Sequence, residues 1–170
     1  MFENEAELSE LQRLLDASFE RSGENLTSMF GATNRLSASQ LSGFQGVRLV
    51  AVATVNSKGE PRAAPRSAAF LHGRFYLAAN TASLMVKRLA SKPAVGMTYF
   101  ENHLLIIGHG KAAPLRKGST GFEEVRPEWE KAFNGGSNAL EGMDLFIRVD
   151  AANMLAFAQR TERYPDAWKE

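Results

Sequence analysis

The chain has 170 residues, 44% of them hydrophobic, which is the size and composition of one globular domain and not of a disordered chain. Twenty basic residues stand against 19 acidic ones, a net charge of +1, without the basic excess of a phosphate-tracking surface, so nucleic acid is not an expected partner. The absence of cysteine removes disulfides, thiolate metal sites and a cysteine nucleophile.

The first residues are acidic (Glu3, Glu5, Glu7, Glu10) and lack the basic-then-apolar layout of a signal peptide. No run approaches the roughly 20 apolar residues that span a bilayer, so a cytoplasmic location without a membrane partner is expected. Between Glu5 and Arg21, Leu8, Leu11, Leu14, Leu15 and Phe19 recur at helical spacing and predict one amphipathic helix. Ser22–Ser28 reads as a loop. Ser37–Phe44 reads as one or two helical turns with Leu41 and Phe44 facing inward.

From Val47 to Phe100 the pattern changes to short strands: Arg48–Val55, Glu60–Leu71, Phe75–Ala79 and Ala94–Phe100. The turns Asn56-Ser57-Lys58-Gly59 and His72-Gly73-Arg74 join the first three, and one brief helix over Thr81–Leu89 precedes the fourth. Leu104–Ala113 reads as a fifth strand, with a bulge or bend at Gly108 and Gly110. A basic loop over Pro114–Gly121 follows. Phe122–Phe133 predicts a helix broken or restarted at Pro127, and Asn134–Asn138 a loop. Asp144–Val149 reads as a sixth strand, Asp150–Met154 as a turn and Leu155–Ala158 as a short final strand.

Strands joined by turns, with few helices between them, bury their inner faces best by curling into a small barrel, whose closure removes free edges. The expected fold is therefore mainly β: a six- to seven-stranded antiparallel barrel with an N-terminal helix and helices between strands. One domain spans 1–170, with a helical extension over 1–45, a barrel core over 47–158 and a polar tail over 159–170.

Phosphate-loop, dinucleotide, zinc-protease and nucleophile-elbow motifs are all absent. His72 and His103 fall in or near turns, where solvent exposure is expected. His109 sits mid-strand between glycines, and no metal site is expected. Tyr76, Tyr99 and His109 are candidate proton donors, although the two tyrosines are equally ordinary core or edge aromatics. No catalytic acid–base pair is named. The helix start at Asn80-Thr81-Ala82-Ser83 offers capping oxygens and free amides, with Lys87 and Arg88 one turn on. Arg62 and Arg66 lie four apart, on one face of a strand whose other residues are small (Ala63, Ala64, Ala68, Ala69). Together these read either as a phosphate-bearing flat-ligand site or as a helix cap beside solvated cations.

In order and spacing the chain resembles the pyridoxamine 5′-phosphate oxidase-like, flavin- and deazaflavin-binding split-barrel family. The resemblance rests on Ala53-Thr54-Val55, Gly59 and Pro61, Gly73-Arg74-Phe75-Tyr76, Thr81 and Ser83, then Arg88, Leu89 and Pro93, and the later Ile107-Gly108-His109-Gly110-Lys111-Ala112. It implies a split barrel acting as a homodimer with two cofactor sites at the subunit interface. The cofactor implied is FMN, or alternatively the 8-hydroxy-5-deazaflavin coenzyme, held by Arg62, Arg66, Ser67, Thr81, Ser83, Lys87 and Arg88. The implied activity is hydride transfer to a small unsaturated or quinone-like substrate. The alternative is a non-catalytic cofactor or haem/tetrapyrrole binder on the same fold, with His103 or His109 as ligand. Pyridoxamine phosphate oxidases proper carry cations near Ala64, Ala69, Leu84 and Met85, all neutral here. The chain resembles more closely the relatives with a Pro-Arg-x-x-Pro second strand, here Pro61-Arg62-Ala63-Ala64-Pro65, which implies contacts from Arg62, Arg116 and Lys117 to a longer, acidic cofactor tail.

Overall fold

Asn4 sets the start of the first helix, α1 (Glu5–Glu20), through a capping box: its side chain accepts from the Glu7 amide, and the Glu7 carboxylate accepts from the Asn4 amide. The computed structural model describes residues 2–133 and 140–164. The loop expected over Asn134–Asn138 and the second half of the polar tail lie outside the described residues. Leu11 and Leu15 of the predicted stripe are buried. The loop expected over Ser22–Ser28 is corrected: a helix, α2 (Glu24–Phe30), occupies most of it between Gly23 and Gly31. None of its residues is buried, and its docking contact is Phe30 stacked on Phe157 at 4.8 Å. A short helix with no fully buried residue leaves no clear apolar stripe for a sequence to show. Ser37 and Gln40 form a second capping box at α3 (Ala38–Leu41).

Six antiparallel strands then close a barrel in the order β1-β2-β3-β6-β5-β4. They are β1 (Val47–Val55), β2 (Pro61–Leu71), β3 (Arg74–Ala79), β4 (Ala94–Glu101), β5 (Leu104–Arg116) and β6 (Leu145–Ala158). The barrel and its helical additions are as expected. The turn at Asp150–Met154 and the separate last strand are not, because β6 runs unbroken to Ala158. Its extra residue is absorbed by a bulge opposite His109/Gly110. A Cβ on Gly110 would lie 2.1 Å from the Asp150 carbonyl oxygen, so the bulge needs glycine there. β5 also extends to Arg116, which shortens the expected basic loop. Pro127 does not break α5 (Thr120–Ala132). Ser119 caps its start, and burial of Phe122, Val125 and Trp129 holds both sides of the proline.

Inside the barrel, Val50, Val52, Leu77, Met97, Ile106 and Ile147 interdigitate. Phe44 plugs one end, its ring 4.9 Å from Tyr99 and 6.1 Å from Phe75, so Phe44 and Leu41 face inward as expected. α4 (Leu84–Ser91) closes the other end with Met85, Val86 and Leu89. Outside, α5 covers Ala69, Leu71, Tyr76 and Phe146.

Candidate functional site

Two of the barrel's seams are short. β2 pairs with β3 only through Ala68–Leu71, and β1 pairs with β4 only through Ala51–Ala53. The β1–β2 ribbon, paired along nearly its whole length, therefore stands away from the rest, and residues 61–67 of β2 keep a partner on the β1 side alone. The β2–β3 connection is a two-residue turn with positive φ at His72 (52°) and Gly73 (70°), which makes Leu71 and Arg74 the closing hydrogen-bonded pair. Odd-numbered residues of β2 thus aim their backbone groups toward β3, and beyond Ala68 that alternation turns 61, 63, 65 and 67 onto an open edge.

Pro61 and Pro65 both fall on this edge, where a missing N–H costs no ladder bond. Ala63 and Ser67 are left as its amide donors. Two guanidiniums fold along it: Arg62 Nη1 donates to the Pro61 carbonyl at 2.9 Å, and Arg66 Nη1 to the Pro65 carbonyl at 3.1 Å. Arg62 is also paired with Glu60 at 2.7 Å. Hydrogen bonds from Asn56 first, and from Arg62 second, hold the Glu60 carboxyl below its ordinary range. Among the described residues Arg66 has no carboxylate partner, so of the two guanidiniums its charge is the more open to a ligand.

α4 begins beside the end of β3. Asn80 Oδ1 accepts from the Ala82 amide, and Ser83 Oγ accepts from the Val86 amide at 3.3 Å, capping the helix. Thr81 is engaged elsewhere: its amide and hydroxyl donate to the two Asp144 oxygens at 2.8 and 2.7 Å. The Thr81 hydroxyl, and then its amide, hold the Asp144 carboxyl below the usual carboxylate range. Lys87 is exposed. Arg88 lies one turn before Lys92, whose Nζ reaches the Ser57 carbonyl on the β1–β2 turn at 3.3 Å, so that flank of α4 faces the ribbon.

Arg62 and Arg66 therefore share one strand edge, and Thr81, Ser83 and Lys87 lie at the start of α4 with Arg88 in its last turn. Ser67 points the other way. It pairs with outward-facing Leu49, whereas Arg66 pairs with inward-facing Val50. Ser67 shares the site through its amide and not its hydroxyl. Sequence reasoning missed Asp144 and the open edge. Prolines four apart on one strand were the available signal for the edge.

The expectation of a solvated His72 is corrected. Its ring is half-buried, with Nε2 at 2.6 Å from Glu128 and Nδ1 at 3.2 Å from Glu7, tying the hairpin to α5 and α1. His103 is exposed as expected, and His109 is exposed too. Tyr76 and Tyr99 are core residues. Burial, then a hydrogen bond to Glu101, pushes the Tyr99 phenol up to about 12. It lies at the Phe44 end of the barrel, away from α4.

A further feature is the outward face of β2, β1, β4 and β5. Leu49 and Phe100 are 69% and 71% exposed there, and Ala51, Ala53, Ala63 and Pro65 are exposed between strands in register.

A closed six-stranded antiparallel barrel with two short seams and a helix across one end defines a split-barrel protein. The family model for pyridoxamine 5′-phosphate oxidase matches residues 38–155, and the chain belongs to that family. Among solved structures, a conserved hypothetical protein from Mycobacterium tuberculosis aligns with a TM-score of 0.65 at 15% identity, over 79% of this chain and 92% of that one. HupZ from Group A Streptococcus aligns at 0.54 and 16% identity, over 71% and 91%. An F420 reductase aligns at 0.52 and 14% identity, over 67% and 94%. Likeness at these identities is one of fold. No curated protein matches the sequence.

Proposed function

We propose that the chain binds a flavin-type cofactor at the open edge of β2 and works as a homodimeric oxidoreductase. FMN is the cofactor preferred, and the 8-hydroxy-5-deazaflavin coenzyme the alternative. The observation that carries this reading is the edge itself, where two guanidiniums lie over self-supplied carbonyls beside a capped helix start. The donor set fits the group. Arg66, Arg62, Arg88 and Lys87 suit an anionic tail, and the Ala63 and Ser67 amides offer donors to the polar rim of a flat heterocycle. Bound there, the cofactor supplies hydride chemistry toward a small unsaturated or quinone-like substrate, while the protein binds and orients it. A second copy on the exposed sheet face closes the site from outside.

One observation favours the second reading, a binder without turnover. Thr81 has already given its amide and hydroxyl donors to Asp144, which leaves the phosphate end to the Ser83 hydroxyl proton and to arginine and lysine. The test is an absorption spectrum of the freshly purified protein, with mass spectrometry of what denaturation releases. Flavin bands or deazaflavin fluorescence support the first reading. A Soret band on adding haem, lost in His103→Ala or His109→Ala, supports the second. In equilibrium titrations with FMN and the deazaflavin, Arg66→Ala and Lys87→Ala are each expected to weaken binding about tenfold. Unchanged affinity in both overturns the site.

A further inference from the structure

α4 crosses the open end of the barrel and divides it. One flank faces the β1–β2 ribbon and the arginine edge, anchored through Lys92 and Ser57. The other flank faces β5 and β6 and does not fill the space it covers. A recess of about 210 Å³ lies there, between Val86, Leu89 and Ala90 of α4 and Ala112 and Pro114 of β5, with Ile147 as its floor. Val86, Leu89 and Ile147 are buried, so this is an opening into the core and not a surface scratch. The recess is open at Ala90, Pro114 and Arg116, which are exposed, and closed beneath by buried Ile147. Its cause is plain in the residues: Ala90 and Ala112 are too short to meet across the gap, and Pro114 cannot shift to close it.

The chemistry of the rim is as specific as that of the walls. The lining is apolar except for Arg116, which ends β5 at the mouth. Arg116 makes no ion pair within 4 Å among the described residues. Both oxygens of the Asp144 carboxylate, whose charge Arg116 feels, are hydrogen-bonded to Thr81. The backbone adds a donor. The Lys117 amide donates to the backbone carbonyl of Asp144, the residue before β6, and the Ala112 amide to the Pro93 carbonyl, so the ladder's alternation turns the even-numbered residues of β5 toward the recess. Pro114 has no N–H to offer there, and the Arg116 amide does.

We propose that this recess binds a small amphipathic carboxylate, with the apolar body inside and the head group on Arg116. An apolar cavity of about 150 Å³ holds benzene, so 210 Å³ suits one ring or a chain of about four to six carbons. The recess lies on the flank of α4 opposite the β2 edge, and Arg116, expected from the resemblance at an acidic cofactor tail, is assigned to it here.

The experiment is amide NMR of the full chain titrated with hexanoate, and in parallel with 1-hexanol. Saturable shifts at Leu89, Ala90 and Ala112 are expected in the millimolar range for hexanoate. Arg116→Gln, at an exposed position, is expected to weaken hexanoate about tenfold and leave 1-hexanol unchanged. Ala112→Ile fills the recess and is expected to abolish both responses. Arg62→Gln/Arg66→Gln is expected to leave hexanoate binding intact while weakening flavin, which separates this site from the other. Equal affinity for acid and alcohol, insensitivity to Arg116→Gln, or shifts confined to the β2 edge would each overturn the proposal.

Discussion

His72 shows how much one side chain decides in this fold. It takes a left-handed turn position where glycine or asparagine is the easier residue, and in return its ring bridges two helices through Glu7 and Glu128. Burial alone would lower its pKa, but the hydrogen bonds and charges of those two carboxylates outweigh it and the pKa is raised above 6.5. Around the turn, Glu3 accepts from the Gly73 amide, and Arg74 pairs with Glu10 and Asp150. A raised pKa means the folded state holds the proton more tightly than the unfolded chain. The stabilisation is fully present below pH 6.5 and is lost as pH rises through the folded-state value. Urea midpoints measured across this range are expected to fall with rising pH in the wild type. In His72→Asn, which keeps the turn and removes the titration, they are expected to stay level. Gly110 and Gly108 make a second contrast. Alanine at 110 meets backbone at 2.1 Å, while at 108 it meets nothing within 4 Å. Gly110→Ala is expected to cost about 3 kcal/mol or more, and Gly108→Ala to be tolerated, by thermal unfolding. The sequence placed a bend at both glycines, and only the register between β5 and β6 shows that the close approach is at 110.

At the scale of elements, the strands were legible because each carries alternation or a dense apolar run bounded by turn residues. α2 was not, since it buries nothing, and the unity of β6 was not, since Asp150 and Asn153 at the bulge look like a turn. The candidate site was half legible. Same-face arginines follow from spacing alone, but the opposite facing of Ser67 and the claim of Asp144 on Thr81 require the register and a partner 63 residues away. The open edge of β2 is a liability that Pro61 and Pro65 contain, because strands expose pairing groups and proline removes donors. Pro61→Thr/Pro65→Thr restores two N–H groups there. Light scattering is expected to show concentration-dependent self-association beyond that of the wild type, with the barrel's unfolding temperature nearly unchanged.

For the whole molecule, the question is what the outward face of β2, β1, β4 and β5 is for. An antiparallel sheet that meets water on one side normally alternates apolar and polar residues. Here the outward positions of β1 are Leu49, Ala51, Ala53 and Val55, and those of β2 are Ala63, Pro65 and Ser67, with no charge among them. Four strands at about 4.8 Å spacing and about six residues long cover roughly 400 Å², with exposed His109 and Lys111 of β5 as its polar margin. That is about half of the roughly 800 Å² each partner contributes to a standard interface, and it supplies the apolar centre that such interfaces have. Small side chains keep the sheet flat enough for two copies to meet face to face, and Leu49 and Phe100 stand out as anchors. This face borders the open edge of β2, so the proposed second copy sits where it also walls the cofactor site. Leu49→Lys/Phe100→Glu is therefore expected to turn a dimer into a monomer by sedimentation equilibrium, and to release flavin without touching any residue assigned to bind it. Both positions are exposed in one chain, so the variant is expected to keep its circular dichroism and its unfolding temperature as a monomer. A wild type that sediments as a single subunit, or a charged variant that stays dimeric and retains flavin, sinks the proposed assembly.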